Sequence, residues 1–151
     1  MTLNGKDLKG TYRNFVVDSW LKSYRYSPEC KYMLTSVYKE LFWSTIQREI
    51  DNSLVQIIDD ENNKIRGYLL QEPMNLNHES ELHSGLKNII KFLYVTSKYR
   101  RQGIATELLK PWLHPSDNKW VYCSFITPHF VGTCNQLGYK HMYLPNLRRV
   151  K

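Results

Sequence analysis

KFLYVTSKYRRQGIATELL, residues 91–109, passes from an apolar run through a basic, polar turn into an amphipathic run. Upstream it is continuous with NIIKFLYV, residues 88–95, which is apolar on both faces apart from Lys91 and suits a central strand. Downstream, Ile104, Leu108, Leu109 and Trp112 fall on one face of a helix that His114-Pro115 would end. A helix start exposes unpaired main-chain N–H groups and the positive end of the helix dipole. Gly103 removes a side chain where a ligand can approach that backbone, and Arg100 and Arg101 add fixed positive charge beside it. Strand, turn and helix together make a cradle for a pyrophosphate. It is not a Walker loop, because no GKS or GKT follows the glycine, nor a dinucleotide fingerprint, which needs three glycines. Taken without its setting, the same turn reads equally well as two solvated arginines and an ordinary turn glycine.

Outward from this segment the pattern alternates between helix and strand. Residues 12–25 give a first helix, with Asp18 and Ser19 as candidate caps, and residues 33–51 give a second through Val37, Leu41, Ile46 and Ile50. Tyr-rich residues 24–32 make the turn between them. Residues 54–59 and 65–71 flank the polar stretch Asp60-Glu61-Asn62-Asn63 and predict a hairpin. Polar residues 73–87 read as a loop. Residues 120–126 predict a strand, residues 128–137 a helix stopped by Gly138, and Tyr139 to Leu144 a last strand. The order is that of an α/β domain with a mixed sheet.

A chain of 151 residues fits one domain, 1–151, with a real core. No apolar run reaches the roughly 20 residues a bilayer span needs, and MTLNGKDLKG lacks the features of a signal peptide, so a cytoplasmic protein without a membrane partner is expected. Cys30, Cys123 and Cys134 are odd in number and form no CxxC pair, as for reduced thiols. The net charge of +7 favours an anionic partner, but no continuous basic helix face or nucleic-acid motif accompanies it, so nucleic acid is not the expected partner. His78 and His83, with Glu79 and Glu81, match no metal-ligand spacing, and no metal is expected.

Arg100-x-x-Gly103-x-Ala105, introduced by Leu93-Tyr94-Val95 and Tyr99, resembles the coenzyme A-binding signature of the GNAT acetyltransferases, Arg/Gln-x-x-Gly-x-Gly/Ala. The likeness runs in weaker form from about residue 12 to 144, and Tyr99 to Leu109 carries nearly all its specificity. Small phage-encoded members are similar in size and in the Trp20-Leu21-x-Ser23-Tyr24 stretch. The resemblance implies a mixed, mostly antiparallel sheet with splayed central parallel strands and helices on both faces. It implies acetyl-CoA as co-substrate. The backbone near Leu93 would polarise the thioester carbonyl, and that of Val95 would bind the pantetheine arm. The amides of Arg101, Gln102, Gly103, Ile104 and Ala105, with Arg100, would hold the pyrophosphate, and Tyr94 and Thr106 complete the implied cofactor-binding set. An amine then attacks the thioester directly, so catalysis rests on positioning and on donors aimed at the oxyanion.

The chain departs from the family where proton transfer is decided. The Tyr that many members carry four residues before a Gly-Phe or Gly-Tyr pair is here Cys134, before Gly138-Tyr139. Cys134 is either a thiol acid or a small buried residue. Where some members carry a strand Glu, this chain has Ile89. Glu72 and His129 are candidate bases or else ordinary surface residues, Tyr94 is an acid, a substrate contact or packing, and a water chain can also serve as base. Tyr139 to Lys151 has room for about one strand where the family has two, and Pro145 and Arg148-Arg149-Val150-Lys151 disfavour a second, leaving the cleft open or completed by another subunit. The activity implied is N-acetyl transfer to a primary amine, on a protein lysine, an N-terminus or a small molecule. The alternative is a GNAT-fold protein that binds and sequesters a partner without turnover.

Overall fold

A computed structural model of the protein describes residues 1–25, 32–76, 85–113 and 119–144. The backbone divides into two compact units, Met1–Val55 and Gln56–Lys151. The strands neighbour one another in chain order in one mixed sheet, the class expected from the sequence.

In the first unit, β1 (Thr2–Asn4) leads through a 3-10 turn into α1 (Gly10–Arg25) and α2 (Thr35–Asp51). The three-residue strand has no hydrophobic pattern and was not expected. Asp18 and Ser19, the candidate caps, lie inside α1 instead. The Ser19 hydroxyl donates to the Phe15 carbonyl at 2.7 Å, which lets a capping residue sit mid-helix, while Val16, Val17, Trp20 and Leu21 bury one face. Arg13 ties the unit together. Its guanidinium donates to Gln47 Oε1 at 2.7 Å, to the Gly5 and Leu8 carbonyls at 3.0 and 3.1 Å, and to Asp51 Oδ1 at 2.9 Å.

In the second unit, β2 (Leu54–Asp59) and β3 (Ile65–Leu76) form the expected hairpin, and β4 (Gly85–Val95) follows antiparallel to β3. Both strands extend into the polar stretch 73–87, read from sequence as a loop. In a two-stranded arm the ladder bonds themselves satisfy the backbone, so an apolar pattern is not required. His78, Glu79, Glu81 and His83 lie outside the described residues, as do Cys30, most of the Tyr-rich turn and residues 145–151.

The β3–β4 register pairs Leu70 with Phe92 and then Gln71 with Ile90, so Lys91 is the extra residue of a bulge. The chain then forms α3 (Ile104–Leu109), a 3-10 turn to Trp112, β5 (Trp120–Cys123), α4 (Pro128–Gln136) and β6 (Lys140–Tyr143). Helices α3 and α4 cover the sheet face that carries Leu69, Ile90, Leu93 and Val95. Gly67 lets α3 sit close: a Cβ there would lie 2.8 Å from Ile104 Cγ2 and 3.0 Å from the Tyr94 carbonyl. Strand β5 stops at Cys123 rather than at 126, because the backbone leaves the sheet to reach the α4 cap, where Thr127 Oγ1 accepts from Phe130 N at 3.2 Å.

Candidate active site

The site begins with the early exit of β5. It pairs with β4, in parallel, only at Ile89–Tyr122 and Ile90–Cys123, and Ser124 N donates to the Ile90 carbonyl at 3.0 Å. From Lys91 to Val95, β4 is paired with β3 on one edge and has no register partner in β5 on the other. Thr96 N donates to the Arg66 carbonyl at 2.9 Å, so the antiparallel alternation directs the main-chain groups of Tyr94 toward β3. Those of Leu93 and Val95 therefore face the opening. The Val95 carbonyl accepts there from Arg100 Nε at 3.0 Å, which leaves the Val95 N–H and both groups of Leu93 aimed into the gap.

At the end of the gap the chain winds through two left-handed residues, Arg101 at φ 64° and Gly103 at φ 79°. Gly103 adopts this conformation freely; Arg101 does so at a cost of roughly 1 kcal/mol. The first α3 bond runs from Glu107 N to the Gly103 carbonyl, so the N–H groups of Ile104, Ala105 and Thr106 precede the helical ladder. A cleft of about 340 Å³ opens over this turn, with Val95, Arg101 and Gly103 to Thr106 on one wall. Pro128, His129, Gly132, Thr133 and Gln136 of α4 form the other, and Tyr99 sits between.

The cleft thus brings together Val95, Arg101, Gly103, Ile104, Ala105, Thr106 and His129 from the residues singled out in the sequence. Leu93, Tyr94, Arg100 and Gln102 adjoin them along the chain without lining it. The Arg100 guanidinium lies over the Tyr94 ring, 5.9 Å from its centre, as well as bonding Val95. His129 is half-buried, and its pKa falls below 6.5, first because burial disfavours the imidazolium and then because Arg100 repels it. Its Nε2 is fully enclosed and has no hydrogen-bond partner among the described residues.

The side chains of three other candidates lie apart. Cys134 has no solvent exposure and packs with Leu69, Val121 and Phe130; burial pushes its thiol up to about 11. Neighbouring Cys123 is pushed to about 12 by burial and then by Cys134. Glu72 projects on the opposite sheet face, where Oε2 lies 2.6 Å from Lys91 Nζ. Tyr94 is on that face as well, with ring centres 5.6 Å from Tyr68 and 6.2 Å from Phe92. Sequence reasoning missed Gly132, Thr133 and Gln136. Their spacing from His129, at 3, 4 and 7 residues, placed them on one helix face and was the available signal.

The arrangement fits acetyl-CoA in its own chemistry: helix-start N–H groups at one end, strand main-chain groups along the gap beyond the last register pair with β5, and a neutral imidazole on the cleft wall. The family model for the acetyltransferase (GNAT) family matches residues 15–114, and the chain belongs to that family. It is an N-acetyltransferase, and acetyl-CoA is its co-substrate. No curated protein matches the chain. Among solved structures, a GCN5-related N-acetyltransferase from Ralstonia eutropha superposes with a TM-score of 0.63 at 14% identity, covering 96% of this chain and 95% of that one. A predicted acetyltransferase with acetyl-CoA from Clostridium acetobutylicum gives 0.59 at 15%, covering 94% and 89%. The aminoglycoside N-acetyltransferase AAC(6')-Iy in complex with CoA gives 0.51 at 10%, covering 95% and 88%. At these identities the likeness is one of fold. Among the described residues, no helix is long and apolar enough to cross a membrane.

Proposed function

We propose that the protein transfers the acetyl group of acetyl-CoA to a primary amine, as one catalytic domain over residues 1–151. The observation that carries this reading is the β4 edge at Leu93 and Val95, beyond the last register pair with β5 and continuous with the left-handed turn and helix start at 101–106. Those amides hold the pyrophosphate, with Arg101 supplying charge from the cleft wall. Arg100 acts mainly on the strand end and on His129, given its bond to Val95. The Val95 N–H takes the pantetheine arm, and the Leu93 main chain polarises the thioester. His129, neutral at physiological pH, stands on the cleft wall facing the turn.

On the opposite face, Glu72 is the amine-side carboxylate and serves as the base, and Tyr94 lies on the same face. Cys134 is a packing residue in this reading, since its thiol is enclosed by apolar side chains. The amine belongs to a protein lysine, an N-terminus or a small molecule; the positive net charge disfavours a polycation.

Thermal melting tests the reading without knowledge of the amine. At one hundred times its dissociation constant a ligand stabilises the folded state by about 2.7 kcal/mol. For a domain of this size that raises the melting midpoint by roughly 5–11 °C. Acetyl-CoA and CoA are both expected to give this rise, and ATP much less, because it lacks the pantetheine arm. Equal shifts from ATP and acetyl-CoA would reduce the site to an anion patch, and no shift at millimolar ligand would overturn the proposal.

A further inference from the structure

We propose that Tyr99 and Asp60 act as a positioning pair, through which the tip of the β2–β3 hairpin holds the phosphate turn in its binding shape. The inference rests on the acetyl-CoA reading of the cleft; it adds Asp60, which lies outside the coenzyme A signature, and gives Tyr99, which introduces that signature, a positioning role. Tyr99 stands at the end of a short 3-10 turn, Ser97–Tyr99, immediately before the arginines. Its hydroxyl donates to Asp60 Oδ2 at 2.8 Å, and its ring borders the cleft. The other carboxylate oxygen of Asp60 accepts the N–H groups of Asn62 and Lys64 at 2.8 and 2.9 Å. Asp60 is therefore fixed by its own hairpin before it meets Tyr99.

Two further bonds make the anchor a unit. Thr96 N donates to the Arg66 carbonyl and Thr96 Oγ1 to the Ile65 carbonyl, each at 2.9 Å. Residues 96–99 are thus pinned at both ends to the first residues of β3 and the hairpin tip. The turn needs such support, because Arg101 is held in a left-handed conformation that L side chains resist. A turn that relaxed in the free protein would have to be rewound on binding, at the expense of affinity. The ionisation behaviour agrees with the geometry. Asp60 is held below its usual value by the Lys64 N–H and then by Tyr99, and the Tyr99 phenol is raised by its bond to Asp60, so the pair stays carboxylate and phenol.

Calorimetry with acetyl-CoA on the full chain decides the matter, using Tyr99→Phe, which keeps the ring and removes the bond. A hydrogen bond in this partly solvent-exposed setting corresponds to about three- to ten-fold in affinity, and that loss is expected for Tyr99→Phe. Asp60→Asn retains an acceptor oxygen and should bind more tightly than Asp60→Ala. In Asp60→Ala the Tyr99→Phe change should cost nothing further. In steady-state assays KM for acetyl-CoA should rise while KM for the amine does not, a split that general loosening of the fold would not produce. Wild-type binding with unchanged affinity in Tyr99→Phe overturns the positioning pair alone. Failure of the wild type to bind acetyl-CoA overturns both this inference and the proposed function.

Discussion

Lys91 Nζ lies 2.6 Å from Glu72 Oε2 across the β3–β4 ladder, and Lys91 is the extra residue of the bulge in that ladder. The bulge turns a side chain that would otherwise alternate onto the α3–α4 face toward Glu72 instead. The two partners differ in environment: the lysine side chain is 1% exposed and the glutamate 18%.

That difference predicts unequal costs. Glu72→Gln removes a carboxylate from beside a buried ammonium, and should destabilise the fold by about 3–5 kcal/mol. Lys91→Met leaves a carboxylate that reaches some water and a side chain that packs well, so about 1–3 kcal/mol is expected. Urea unfolding of the two variants measures this, and a larger loss for Lys91→Met would show that the glutamate is the more dependent partner. Assayed below its melting range, Glu72→Gln should also lower kcat by about a hundred-fold or more if Glu72 is the base. Its acetyl-CoA affinity should be unchanged.

Protonation of His129 opposes folding, and the sign follows from its depressed pKa. Between 6.5 and the lower folded value, the unfolded chain binds the proton more readily than the folded one. The unfolding free energy is therefore expected to fall as pH drops below about 6.5. Above it, this residue contributes no slope. His129→Gln should flatten that part of the profile. Denaturant unfolding from about pH 5 to 8 compares the two proteins, and identical slopes would place His129 in a less buried setting than described.

What the sequence made legible was whatever repeats along one element. The strand before Val95, the glycine turn and the apolar face of α3 were readable because each is local: an apolar run, a φ-permissive residue, a period near 3.6. The cleft's second wall was not, because α4 meets the turn only through tertiary packing, although the His129, Gly132, Thr133, Gln136 spacing was present. The Lys91–Glu72 pair depends on a bulge, and a one-residue change of register has no signature in hydrophobic pattern. Lys91 looked like a polar exception in a central strand, and the bulge is its explanation. Ser19 and Asp18 misled for a related reason. Ser19 fits the helix interior because the Phe15 carbonyl takes its hydroxyl, and Asp18 because it is exposed to solvent, while the apolar face of α1 sets the helix.

Gly132 supplies the last prediction, since one methyl group there should act in opposite directions on stability and on binding. It lies within α4, and a Cβ built on it meets no heavy atom within 4 Å. Glycine inside a helix costs about 0.5–1 kcal/mol relative to alanine, so Gly132→Ala should stabilise the free protein. The midpoint should rise by about 1–4 °C. The same position faces the cleft opposite Arg101 and Ala105, where open space serves a ligand rather than packing. Added bulk there should weaken acetyl-CoA binding, modestly for Gly132→Ala and severely for Gly132→Leu. Melting of the free variants and calorimetry with acetyl-CoA separate the two effects. A raised midpoint together with unimpaired binding in Gly132→Leu would mean that the co-substrate does not pass over this face of α4, and the cleft would have to be reassigned.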